Sequence, residues 1–211
     1  MRKLLLLFSL VPLCRAADVP CTTAQACWDL LKQGNDNWAK KGAKLLHPNQ
    51  TPDRRTAVSE HQSPFAVVLS CSDSRVPPEV IFDRGVGDLF VIRVAGNVLD
   101  RHAMGSIQYA VEVKKYAKLI VVLGHQRCGA AEAAVQQPKL PEPLATLISA
   151  LRPAVDASKR WPGDPVENAV DANIHLMTKQ LADTFSTGGV MVVGKRYSLD
   201  TGEVSDPQRW K

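Results

Sequence analysis

The chain has 211 residues, 45% of them hydrophobic, which suits one globular domain with a sizeable core and leaves little room for a second. Lys and Arg number 26 against 21 Asp and Glu, but Arg2, Lys3 and Arg15 sit in a segment that reads as a removable leader; without them 23 basic residues face 21 acidic ones, and the formal charge falls from +5 to +2. No basic run is interleaved with aromatics, so nothing supports nucleic-acid binding.

The leader is "MRKLLLLFSLVPLCRA": basic Arg2 and Lys3, an apolar stretch from Leu4 to Leu13, then small Cys14 and Ala16 at the positions a signal peptidase reads. The apolar run is well short of the roughly 20 residues that span a bilayer, so a cleaved signal peptide is expected over 1–16 rather than an anchor. The mature chain then starts near Ala17 and is exported, periplasmic or secreted, with no membrane contact after cleavage. Cys21, Cys27, Cys71 and Cys128 remain, and an even count in an exported chain raises disulfides first.

Residues Thr23 to Lys41 place Cys27, Leu31, Gly34 and Trp38 at helical spacing behind a threonine cap, an amphipathic helix. A Cys21–Cys27 bridge requires Cys21 to fold back, because six positions along a helix are separated by about 9 Å of rise. Residues 43–64 are polar and proline-bearing and read as a connecting arm with a short helix, so 17–64 is taken as an N-terminal helical arm and 65–211 as the core. Three apolar runs follow, "FAVVLS" (65–70), "DLFVIRVA" (88–95) and "LIVVLGH" (119–125), with a helix predicted over 105–117. Continuous rather than alternating apolar strands indicate burial on both faces, hence an α/β domain with a mostly parallel sheet covered by helices. Further helices are expected from the stripe Leu144, Leu147, Ile148, Leu151 and from Val166, Val170, Ile174, Met177, Leu181, before a last strand and turn, "GVMVVGKRYSLDTGEV".

In a parallel sheet the carboxyl ends of neighbouring strands point the same way and form the binding crevice. Cys71 ends one run, His125 ends another, and Cys128 follows three residues later, so Cys71, Asp73, His125 and Cys128 converge. Two thiolates and an imidazole suit Zn²⁺, and three protein ligands leave a fourth tetrahedral position for water, as in catalytic rather than structural sites. A Cys71–Cys128 disulfide competes with this reading, but it has no use for His125 or for the Asp73 and Arg75 pair beside Cys71. His47, His61, His102 and His175 have no ligand spacing and are expected on the surface.

The stretches "CSDSRVPPEVIFDRGVGDLFVIRVAGN" and "GHQRCGA", with "SIQYAV" between them, resemble the β-class carbonic anhydrases, from about Thr23 to about Val204. The resemblance implies reversible hydration of carbon dioxide to bicarbonate, with Cys71, His125 and Cys128 as zinc ligands. It implies Asp73 and Arg75 as the catalytic pair, with Asp73 able to serve as a fourth ligand in a closed state. It also implies Gln62, reaching the substrate across a subunit interface, and Phe90, Ala95, Tyr109 and Gly129 as substrate-side positions. A homodimer or dimer of dimers is implied as well, with the N-terminal helical arm packing on a partner subunit. A hydrolase of carbon disulfide or carbonyl sulfide on the same fold, and a non-catalytic structural-zinc or disulfide-stabilised protein, are the alternatives.

Overall fold

The three apolar runs become β1 (Ala66–Ser70), β2 (Leu89–Arg93) and β3 (Leu119–His125). In the computed structural model, which describes residues 21–41 and 45–208, they join β4 (Met191–Tyr197) and the short β5 (Val204–Ser205) in a five-stranded sheet. The strand order is β2-β1-β3-β4-β5, parallel throughout except for the antiparallel β4–β5 pair. The leader expected over 1–16 lies outside the described residues.

Burial follows position in the sheet. β1 and β3 lie in the middle and are buried at every residue, as unbroken apolar runs require, whereas β2 at the edge is only half-buried. Register then levels the ends of the two central strands: Ser70 pairs with Leu123, so the chain leaves β1 at Cys71 close beside the His125 end of β3.

The predicted first helix is α1 (Ala24–Ala39), capped by the Thr23 hydroxyl, which accepts the Ala26 N–H at 3.1 Å. Its inner face carries Cys27, Trp28, Leu31, Gly34 and Asn35. Asn35 donates to the carbonyls of Gly202 (2.8 Å) and Ile81 (3.2 Å) and accepts the Val204 N–H at 2.8 Å. Trp38 donates its indole N–H to the Tyr197 hydroxyl at 2.9 Å. A Cβ on Gly34 would overlap the Phe82 carbonyl, so glycine is what lets α1 sit so close. Within the chain this inner face packs on α3 (Pro78–Ile81), on β3 and on the β4–β5 turn. The arm after it holds the short α2 (Pro52–Ala57).

Two helices differ from the sequence reading. The one predicted over 105–117 starts earlier, because Asp100 accepts the Ala103 N–H at 2.7 Å and caps α4 (Arg101–Gln108), which runs on into a π-helical turn at Tyr109–Val113. The stripe ending at Leu151 splits into α6 (Leu144–Ser149) and α7 (Arg152–Ser158), since Pro153 lacks the N–H that would continue α6. The later stripe is α8 (Pro165–Thr184), capped by Asp164, which lies across β3 and β4. A Cβ on Gly124 would stand 2.6 Å from Ile174 Cδ1, and one on Gly194 would run into the Thr178 hydroxyl, so two strand glycines admit this helix. His47, His61 and His102 are exposed as expected, while His175 on α8 is half-buried.

Candidate metal centre and active site

Two strand ends and one helix start build the site. Cys71 follows β1, His125 ends β3, and Cys128 is the residue before α5 (Gly129–Gln136); all three are buried, the histidine to 1% exposure. Their two Sγ atoms and an imidazole nitrogen lie within 4.8 Å of one another, and no other group of three His, Cys, Asp or Glu side chains among the described residues is gathered in this way. Neither cysteine is in a disulfide. The bridge forms instead between Cys21 and Cys27, whose Cα atoms are 5.1 Å apart. Cys21 precedes the Thr23 cap and folds back over the first turn, which removes the separation that two positions within a helix would have.

The donor set fits a soft divalent ion. His125 Nδ1 lies 2.8 Å from the Gln126 carbonyl, which places the ring proton on Nδ1 and leaves a lone pair on Nε2. That nitrogen is buried with no hydrogen-bond partner, an unfavourable state unless another group takes the lone pair. Cys71 Sγ accepts the N–H of Gly96 at 3.2 Å and of Asp73 at 3.4 Å. The hydrogen bond from Cys128, with smaller help from these N–H groups, outweighs burial and pulls the Cys71 thiol down. The Cys128 thiol is pushed up by Cys71 and by burial. One thiolate thus sits beside a thiol that a nearby dication would ionise as well.

Asp73 stands at the edge of this cluster, its carboxylate held by Arg75. Its Oδ1 accepts Arg75 Nε at 2.9 Å and its Oδ2 accepts Nη2 at 2.7 Å, while Oδ2 is 3.9 Å from His125 Nε2. The Arg75 guanidinium holds the carboxyl well below the usual carboxylate range. Arg93, at the end of β2, closes the turn by donating to the carbonyls of Cys71 (3.0 Å) and Asp73 (2.6 Å).

A family model described as carbonic anhydrase matches residues 66–204. Carbonic anhydrase 2 of Mycobacterium tuberculosis is 37% identical over 195 residues, covering 87% of this chain and 93% of that protein. The chain belongs to the carbonic anhydrase family. It is accordingly an enzyme, and its fold is that of the β class. A tetrameric β-carbonic anhydrase of the ascomycete Sordaria macrospora superimposes with a TM-score of 0.67 at 24% identity, over 75% of this chain and 88% of that one. The Coccomyxa β-carbonic anhydrase, solved with acetazolamide, gives 0.63 at 28% identity, over 72% and 75%.

Within this carbonic anhydrase fold the predicted pocket residues divide. Ala95 opens a 3-10 turn and directly precedes Gly96, whose N–H reaches Cys71; Phe90 is half-buried on β2 opposite Val67. Gly129 is exposed at the start of α5, with open space where a Cβ would stand. Tyr109 is half-exposed, with the Lys114 ammonium 5.6 Å from its ring centre. Gln62 is exposed ahead of β1, and the five residues of that strand, at about 3.3 Å each, hold it away from Cys71 within one chain. Sequence reasoning gave no role to Arg93, Arg127 or Glu167. Arg93 alone carried a signal, as a charged residue inside an apolar run that ends at the crevice.

Proposed function

We propose that the chain catalyses the reversible hydration of carbon dioxide, with a Zn²⁺ ion held by Cys71, His125 and Cys128. The observation that carries the reading is the buried, partnerless His125 Nε2 facing two unbridged thiols, with Asp73 engaged by Arg75 rather than by the cluster. A zinc ion held by these three residues would supply an acidified water, its pKa brought from 15.7 to about 7, and with it a hydroxide nucleophile at neutral pH. Asp73 accepts the hydrogen bond of that nucleophile and orients it, Arg75 keeps Asp73 ionised and in place, and Phe90, Ala95 and Gly129 shape the side from which the substrate enters. Gln62 contributes from a second copy of the chain.

Replacing Cys128 by Ser tests the ligand set: zinc content and stopped-flow hydration are expected to be lost together, and full zinc retention would overturn it. Hydration of carbon dioxide by the wild-type chain, with no turnover of carbon disulfide, separates this reading from the same-fold hydrolase.

Two further parts belong to the same proposal. The leader and the Cys21–Cys27 bridge, of a kind that persists in oxidising compartments, support export. Mass spectrometry of exported material is expected to begin at Ala17, and an intact Met1 would count against it. The half-buried apolar edge strand β2, whose outer backbone groups would otherwise be unpaired, supports a two-fold homodimer built on that edge.

A further inference from the structure

Between His125 and Cys128 lie Gln126 and Arg127, and these two residues are tied to parts of the chain that are distant in sequence. The Gln126 N–H donates to the Tyr197 carbonyl at 3.1 Å, and Gln126 Oε1 accepts the Leu199 N–H at 2.8 Å. The Arg127 N–H donates to Glu167 Oε1 of α8 at 2.8 Å, and its guanidinium grips both carboxylate oxygens of Asp200 in the β4–β5 turn, at 2.8 and 3.0 Å. Glu167 is itself held by Arg196 of β4, which also pairs with the buried Asp171.

The backbone at Arg127 has φ of 50°, in the left-handed region where a side chain with a Cβ is strained. Glycine would adopt this turn without that strain. An arginine here therefore holds a strained backbone beneath a side chain that is engaged, and its partner is Asp200. The turn's carbonyl is engaged too: Arg75 Nη2 approaches the Arg127 oxygen at 3.5 Å while its other contacts hold Asp73.

We propose that Arg127 is a positioning residue for the metal centre, its bidentate pair with Asp200 and its amide bond to Glu167 locking the left-handed turn that seats Cys128 against His125. The proposal rests on the zinc reading above. Cys128 is the next residue in the chain, so relaxation of the turn toward ordinary φ moves a ligand directly, and the same relaxation swings the Arg127 carbonyl away from Arg75. The restraints come from two separate elements, α8 and the β4–β5 turn, which is why removal of one side chain loosens the turn without unfolding the sheet.

The experiment follows zinc release from the loaded enzyme into excess chelator, with kcat and KM for carbon dioxide and the thermal midpoint measured alongside. R127A and D200A are each expected to release zinc about tenfold faster, the usual scale for loss of a group that orients a metal ligand. The R127A/D200A double variant is expected to be no faster than either single one, because the two side chains act as a unit. R127K keeps the charge but not the two-pronged grip and should recover only part of the wild-type rate, and kcat should fall in R127A and D200A while KM holds. R127G takes the turn without strain, and is expected to release zinc more slowly than R127A. Wild-type release in D200A with only a lowered thermal midpoint, or release from R127G as fast as from R127A, would overturn the proposal; D200A leaves position 127 untouched and so decides the matter even if R127A folds poorly. A wild-type chain that binds no zinc would overturn the metal reading itself, and the proposal with it.

Discussion

Asp73 is 18% exposed and Arg75 51%, an asymmetry that separates a working pair from an ordinary surface contact. A surface ion pair contributes about 0–1 kcal/mol; here the carboxylate also stands 3.9 Å from a candidate ligand nitrogen. R75A and D73N are therefore expected to keep zinc while hydration falls by at least about tenfold, and wild-type rates in both would reduce the pair to a salt bridge. The pH behaviour follows from the sign of the shift. A carboxyl whose folded pKa is depressed stays ionised above its ordinary value near 3.9, and its pair is lost only as pH falls through the depressed value. An activity limb between about pH 6 and 9 thus belongs to the metal-bound water rather than to Asp73, and D73N is expected to scale that limb down without moving it. The five residues Cys71, Asp73, Arg75, His125 and Cys128 were legible because each sits within five residues of a strand end that the apolar runs mark. Arg127 was not, because its partners Glu167 and Asp200 lie 40 and 73 residues further on and nothing local points to them.

The strands were readable within a residue or two, since β1 and β3 are buried on both faces and an unbroken apolar run is what such burial demands. The helices were less so. The start of α4 depended on one capping aspartate, and the break between α6 and α7 on one proline, both single-residue signals inside patterns that otherwise continue. The packing of α8 was invisible, because it depends on which strand glycines face it. G124A is expected to lower stability by about 1–3 kcal/mol, the scale for an overpacked core, as the new methyl must displace Ile174. Thermal or denaturant unfolding measures this. An unchanged midpoint would mean that α8 can shift outward without loss.

One chain carries the Cys71, His125 and Cys128 group complete, whereas Gln62, proposed to act from a second copy, sits at the far end of β1 from its own Cys71. Sedimentation of the enzyme is expected to show a dimer or a larger even assembly at all practical concentrations, and a monomer with full activity would remove Gln62 from the reaction. The order β2-β1-β3-β4-β5 also has a kinetic consequence. Val67 pairs with Ile120 and Ile120 with Val192, partners more than fifty residues apart, so the chain must close long loops before β3 is paired on either side. Such topologies fold in milliseconds to seconds rather than microseconds. The β4–β5 hairpin is the exception, with Tyr197 and Val204 seven positions apart. Its turn carries Asp200 and Leu199, so the template that receives the Gln126–Arg127 loop is built from local pairing, whereas Cys71 meets His125 only through the long-range closure of β1 on β3.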